Sequence, residues 1–252
     1  MLGYLLARAG VRVAVLEKHQ DFLRDFRGDT IHPSTLTVLQ YVGLLEAFLR
    51  LPHDEIPELT ADVFGQLTTI ADFRHLPAPR PFLVLVPQWD FLDFLADEAR
   101  KFPHFKLHMG TQAESVIEEG GRVVGVRVSG PQGAREIRAG LVVAADGRHS
   151  TLRRSAGLQA IDVGAPIDVL WFHLPRDPQR HPDRTGGVLR PGALLAMLNR
   201  GSYWQCAYVI PKGSLEALKA RGLDRFRKRV AAIAPSSRRS LPRWRAGTTS
   251  SC

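Results

Sequence analysis

The opening seventeen residues constrain the fold more than any other stretch of the chain. Residues 1–9 place Leu2, Leu5, Leu6 and Ala9 on one face at helical spacing. Gly10 suits the position that ends a helix, because glycine takes a positive φ at no steric cost. Residues 11–16 follow as a short run of β-branched and apolar residues that stops at Glu17. Near-continuous apolarity over so few residues fits a parallel strand covered on both faces. A helix leading into a buried strand that ends in an acid matches the later part of a dinucleotide-binding βαβ unit. There the carboxylate accepts hydrogen bonds from ribose hydroxyls. Glu17 is therefore a candidate ribose ligand, alongside the plainer reading of a solvated carboxylate at a strand end.

Such a unit normally carries G-x-G-x-x-G between its first strand and first helix, roughly 20 residues before the acid. The chain contains no such motif. The expectation is that Met1 lies just after the phosphate loop, with the first strand and its glycines absent from this chain.

Further along, residues 34–41 and 44–49 read as helix, with Pro33 near the start of the first. Residues 61–73, which alternate loosely, and 82–86 read as strands. Residues 89–100 form an amphipathic helix with Phe91, Leu92, Leu95 and Ala99 at helical spacing. A short strand over 106–109 precedes a hairpin, 113–118 and 122–129, that turns through Gly120 and Gly121. Residues 136–139 and 141–145 read as strands, the second buried, and a short helix starts at Ser150. From Ile167 the pattern is strand-rich, and 215–233 is helical. Alternation at the front followed by antiparallel strands predicts an α/β fold: a Rossmann-like nucleotide domain carrying an inserted antiparallel sheet.

The second informative stretch is 141–153. A buried strand stops at Asp146, Gly147 permits a sharp turn, and Ser150 caps the helix that follows. This sets a carboxylate and helix-end amides where a ribityl chain or an anion could lie.

Composition excludes several classes. The net charge is +9, from 34 basic and 25 acidic residues. The charge is spread along the chain rather than gathered on one motif, so no nucleic-acid partner is expected. No apolar run approaches the roughly 18 residues of a membrane span, which argues against membrane association. Cys206 and Cys252 offer neither a disulfide framework nor zinc spacing, which fits a reducing cytoplasm. No H-E-x-x-H helix is present, and no metal site is expected. No G-x-S-x-G elbow places a nucleophile. A small-molecule substrate is the partner that remains.

Residues 144–153, Ala-Ala-Asp-Gly-Arg-His-Ser-Thr-Leu-Arg, resemble the Asp-Gly motif of the class A FAD-dependent monooxygenases, the family of para-hydroxybenzoate hydroxylase and the ubiquinone-pathway hydroxylases. The family pattern is G-A-D-G-x-x-S-x-x-R, and Ala144 replaces its first glycine. Residues 26–36, beginning Phe-Arg-Gly-Asp-Thr, resemble the segment whose arginine contacts FAD, here Arg27; a guanidinium suits paired contacts with phosphate or ribose oxygens. Residues 86–92, Val-Pro-Gln-Trp-Asp-Phe-Leu, resemble the entry to a long helix where a glutamine touches the flavin, here Gln88. The resemblance covers about residues 1–230 and is strongest over 1–50 and 82–155.

The resemblance implies FAD as cofactor, NAD(P)H as co-substrate, and hydroxylation of an activated, usually phenolic, ring by dioxygen. It implies cofactor contacts at Glu17, Arg27, Gln88, Asp146 and Gly147, and singles out no catalytic acid or base. The expected division is an FAD domain over 1–60 and 101–160, and a substrate domain with connecting helices over 61–100 and 161–235. Residues 236–252 have neither helical nor strand periodicity and read as an aberrant or disordered tail, as a change of reading frame after about Pro235 would produce. Three alternatives stay open. A flavin halogenase would carry W-x-W-x-I-P, yet Trp89, Trp171, Trp204 and Trp244 never stand two apart. A nicotinamide dehydrogenase would account for Glu17 alone. A non-catalytic remnant would follow from loss of the phosphate loop.

Overall fold

The computed structural model describes residues 1–23, 29–161, 163–179 and 185–234. The chain folds as two compact units, Met1–Arg24 with Pro87–Val163, and Asp25–Val86 with Gly164–Cys252. The first unit opens with α1 (Leu2–Arg8) and β1 (Val13–Leu16). The second contains β2 (Thr30–Ile31), α2 (Pro33–Tyr41), α3 (Leu45–Phe48), β3 (Asp54–Ile56), β4 (Glu58–Val63), β5 (Gln66–Asp72) and β6 (Leu83–Leu85). The chain returns to the first unit for α4 (Gln88–Arg100), β7 (Phe105–His108), β8 (Gln112–Glu119), β9 (Arg122–Ser129), β10 (Arg135–Arg138) and α5 (Thr151–Ser155). It ends in the second with β11 (Ile167–Pro175), β12 (Gly186–Arg190), β13 (Ala193–Asn199), β14 (Tyr203–Pro211), α6 (Leu215–Ala220) and α7 (Leu223–Ile233).

In the first unit, β1 pairs in parallel with β7, Val13 opposite Phe105 and Leu16 opposite His108. Helix α1 lies close on this pair, and Gly3 makes that possible. A Cβ there would stand 2.7 Å from Val15 Cγ2. Helix α4 packs against α1, burying Leu95, Ala96 and Ala99. Tyr4 and Phe102 meet edge to face with centroids 5.7 Å apart, and the His104 ring bonds the Ala7 carbonyl oxygen. The buried stripe of α4 lies against α1. Strands β8, β9 and β10 form an antiparallel sheet with β9 central. The β8–β9 turn is the expected Gly120–Gly121 pair, at φ 58° and 74°.

Two strand expectations are corrected. Residues 61–73 lie in a hairpin, not one strand: β4 and β5 are joined through Phe64 and Gly65, at φ 52° and 96°. The Asp62 carboxylate accepts from Gly65 N at 2.8 Å and braces that turn. Residues 141–145 form no strand, and Leu141 and Val143 are 78% and 53% exposed. The segment has the composition of a buried strand, but no strand lies beside it among the described residues, so Leu141 and Val143 stay in solvent while Val142 packs on the β9 cluster. For the same reason β1, paired on one side only among those residues, is half-buried rather than buried.

The second unit is built on a six-stranded sheet, ordered β11-β14-β13-β12-β4-β5, antiparallel except where β12 runs parallel to β4. Gly186 permits that contact, since a Cβ there would meet the Thr60 carbonyl oxygen at 2.4 Å. Phe226, Val230 and Ile233 of α7 pack on the sheet face carrying Leu170, Phe172, Leu195 and Tyr208. Phe226 meets the rings of Phe172 and Tyr208 edge-on, at 5.5 and 5.4 Å. A smaller sheet, β2-β6-β3, buries Val84. No helix among the described residues is long and apolar enough to cross a membrane.

Phe226 fills the space between two rings, so Phe226→Ala leaves a cavity that rigid strands cannot close. The expected loss is about 3–5 kcal/mol, read as a lower midpoint in urea denaturation.

Candidate functional site

Glu17 stands one residue beyond the C-terminal end of β1. Its amide donates to the His108 carbonyl at 2.9 Å and its carbonyl accepts from Thr111 N at 2.8 Å. Gly110 N donates to the His19 carbonyl at 2.7 Å, so the chain leaving β1 is laced to the chain leaving β7. The Glu17 carboxylate is half-buried and accepts from His19 N at 2.9 Å. That contact is local, two residues away, and the carboxylate remains near solvent. A ribose hydroxyl can join it there. Beside it, burial lowers the His108 pKa, with Arg135 and Lys106 adding to the effect.

At the Asp146 turn the carboxylate also holds the start of the following helix. Gly147 adopts φ 88°, which turns the chain as the sequence required. Ser150 caps α5 by accepting from Arg153 N at 3.0 Å. The Asp146 carboxylate accepts from Thr151 N at 2.7 Å, from Leu152 N at 3.1 Å, and from the Ser150 hydroxyl. The carboxylate and the helix-end amides, read from sequence as jointly facing a ligand, thus satisfy one another. Burial pushes the Asp146 pKa up, but the bonds from Ser150, Leu152 and Thr151 outweigh it and hold the carboxyl below its usual 3.8. What the turn offers to a ligand is the exposed stretch at Gly147, Arg148 and His149.

Gln88 is the first residue of α4, behind Pro87, and is half-buried. Arg27 lies outside the described residues. Glu17 and Asp146 are brought to one hydrophobic cluster: Leu16, Val142 and Leu152 all pack with Val126 and Val128 of β9. Helix α5 is further fixed where Ser155 Oγ accepts from Val116 N at 3.0 Å, beside the bulge at Glu114 in β8. The sequence reading missed Thr111, which is buried and bonds the backbone of Glu17. Its only local signal was a Gly-Thr pair after a strand.

These residues suit a dinucleotide in part. Glu17 fits a ribose, and Asp146, which is exposed, already accepts three bonds from the start of α5. His104 and His108 stand four apart, a ligand spacing on a helix. Here His108 ends a strand and His104 bonds Ala7, and among the described residues no group of three His, Cys, Asp or Glu could hold a metal.

The Asp146 cap generates a pH-dependent prediction. A carboxyl whose folded pKa is depressed contributes stability above its unfolded pKa and loses it as pH falls through the folded value. Asp146→Ala should cost about 1 kcal/mol near pH 7, a typical cap loss. The gap between wild type and variant should close on acidification below about pH 4. Urea denaturation of both proteins across this range measures it.

The family model described as "FAD binding domain" matches residues 1–238. The chain is 31% identical over 237 residues to 6-methylpretetramide 4-monooxygenase of Streptomyces rimosus, covering 93% of this chain and 56% of that enzyme. Among solved structures it resembles p-nitrophenol 4-monooxygenase PnpA of Pseudomonas putida DLL-E4, with a TM-score of 0.80, 23% identity, and coverage of 99% of this chain and 63% of that one. It also resembles CmlS, a flavin-dependent halogenase, with a TM-score of 0.79, 19% identity, and coverage of 99% and 46%. The chain spans about half the length, or less, of the curated relatives it matches.

Proposed function

Because the chain belongs to the FAD-binding-domain family of FAD-dependent aromatic monooxygenases, we propose that it serves FAD-dependent hydroxylation of an aromatic or related small organic substrate, with NAD(P)H and dioxygen. The observation that carries this is the family match over residues 1–238, joined to a carboxylate at the end of a parallel strand where a ribose is bound in dinucleotide folds. A cytoplasmic setting suits an enzyme that draws on NAD(P)H.

In this reading the first unit holds the cofactor. Glu17 accepts the ribose hydroxyls, Gln88 lies against the ring system, and the turn at Asp146–Gly147 meets the ribityl chain and the nicotinamide. Asp146 acts there through the shape of the turn, since its carboxylate holds Thr151 and Leu152. The six-stranded sheet of the second unit supplies the substrate surface. FAD supplies the redox and oxygen chemistry when bound; the protein binds, orients and shields. Halogenation is disfavoured on the same scaffold, because none of the four tryptophans stands two from another. A non-catalytic product is the second reading, favoured by the exposed apolar side chains of Leu141 and Val143.

The test is a visible absorption spectrum after incubation with FAD and gel filtration. A flavin band that travels with the protein, and Glu17→Gln weakening FAD about tenfold or more in a fluorescence titration, are the expected results; a hydrogen bond to a charged group is worth about 1.5–3 kcal/mol. A folded chain that retains no flavin supports the non-catalytic reading.

A further inference from the structure

Strand β5 ends the order of the six-stranded sheet, and among the described residues no strand pairs its outer side. Every residue from 64 to 70 is exposed. Phe64, Leu67 and Ile70 stand 66%, 57% and 56% open to solvent. Soluble proteins usually protect such an edge with lysine, proline or an inward charge. Residues 64–71 contain no charged residue and no proline.

The edge is held firmly. At the hairpin tip, Asp62 accepts from Nη1 and Nη2 of Arg190 at 2.8 and 2.6 Å while bracing Gly65 N. At the base, Arg74 donates to Asp72 from Nε and Nη2, both at 2.8 Å, and to Glu58 at 2.7 Å. Paired guanidinium–carboxylate contacts fix geometry as well as charge. The tip has positive φ at both central residues, a form that favours Asn-Gly. Phe64 occupies the first of them, at φ 52°. A bulky residue is strained there, yet its ring lies in solvent. Strain kept at a clamped, exposed apolar position marks a surface made for contact.

The spacing of the apolar residues says what makes that contact. Phe64 and Ile70 stand at equal distances on either side of Leu67. Two copies of β5 laid antiparallel about a two-fold axis at Leu67 therefore set Leu67 opposite Leu67, and Phe64 of each copy opposite Ile70 of the other. Gln66 meets Thr68, and no like charges are opposed. A two-fold contact of this kind needs one self-complementary patch, and β5 is one.

We propose that β5 is a dimerisation edge, through which two copies of this chain join antiparallel along residues 64–70 into one continuous sheet. So short a contact lies at the low end of specific interfaces, and the dimer forms only as concentration rises.

Sedimentation velocity of the full chain across about 1–300 μM tests this, a range suited to weak contacts. Wild type should pass from monomer to dimer. Leu67→Lys sets two like charges on the axis and should leave a monomer throughout. Gln66→Lys with Thr68→Lys opposes like charges twice and should weaken the dimer about tenfold or more; Gln66→Lys with Thr68→Glu opposes unlike charges and should retain it. Phe64→Asn relieves the strained turn but removes the ring, so the thermal midpoint should hold while the dimer weakens about tenfold. Leu158→Lys, at a similarly exposed apolar residue of the first unit, is the control and should associate as wild type does. All these sites are exposed, so an unchanged thermal midpoint verifies the fold. A chain that stays monomeric overturns the proposal, as does growth beyond a dimer. So does a dimer indifferent to Leu67→Lys or Phe64→Asn, one weakened equally by Leu158→Lys, or one that the two double variants change alike.

Discussion

Leu16, the last residue of β1, packs on the same cluster as Val142 and Leu152, which flank the Asp146 turn. Val126 and Val128 of β9 form the buried centre of that cluster, 5% and 1% exposed. The rest of the candidate site depends on this packing. Neither Glu17 nor Asp146 is held by a direct bond to the other in the geometry described. Each is carried by a short backbone segment whose apolar neighbour is anchored to β9. Hydrophobic contact is non-directional, so it sets where the two segments meet; hydrogen bonds then set their detail. For Glu17 these are the bonds to His108 and Thr111, and for Asp146 the bonds from Thr151, Leu152 and Ser150.

The Asp146 carboxylate holds the start of α5 together. Three groups at the start of α5 would lack partners without it or Ser150, and a five-residue helix has little stability of its own. Satisfying them makes the turn rigid and leaves Gly147, Arg148 and His149 outward.

Much of this was legible in the sequence where local chemistry decides. The helix and strand before Glu17, the Gly120–Gly121 hairpin, the amphipathic helix α4 and the Ser150 cap all follow from periodicity, turn residues or capping. Legibility failed where distant partners decide. Residues 141–145 have a strand's composition, but a strand exists only when another lies beside it. The turn at Phe64–Gly65 lacks the usual Asn-Gly signal, and the Asp62 carboxylate braces it from three residues away. The ion pair of Asp29 with Arg200 spans most of the chain and leaves no local trace.

The central claim is that the end of β1 and the Asp146 turn together form a cofactor surface. Hydrogen exchange of the chain with and without saturating FAD tests it most directly. The account predicts added protection at residues 17–19 and 147–152, with α7 unchanged. Flavin binding that leaves both of these segments as they were, or protects only the second unit, would contradict it.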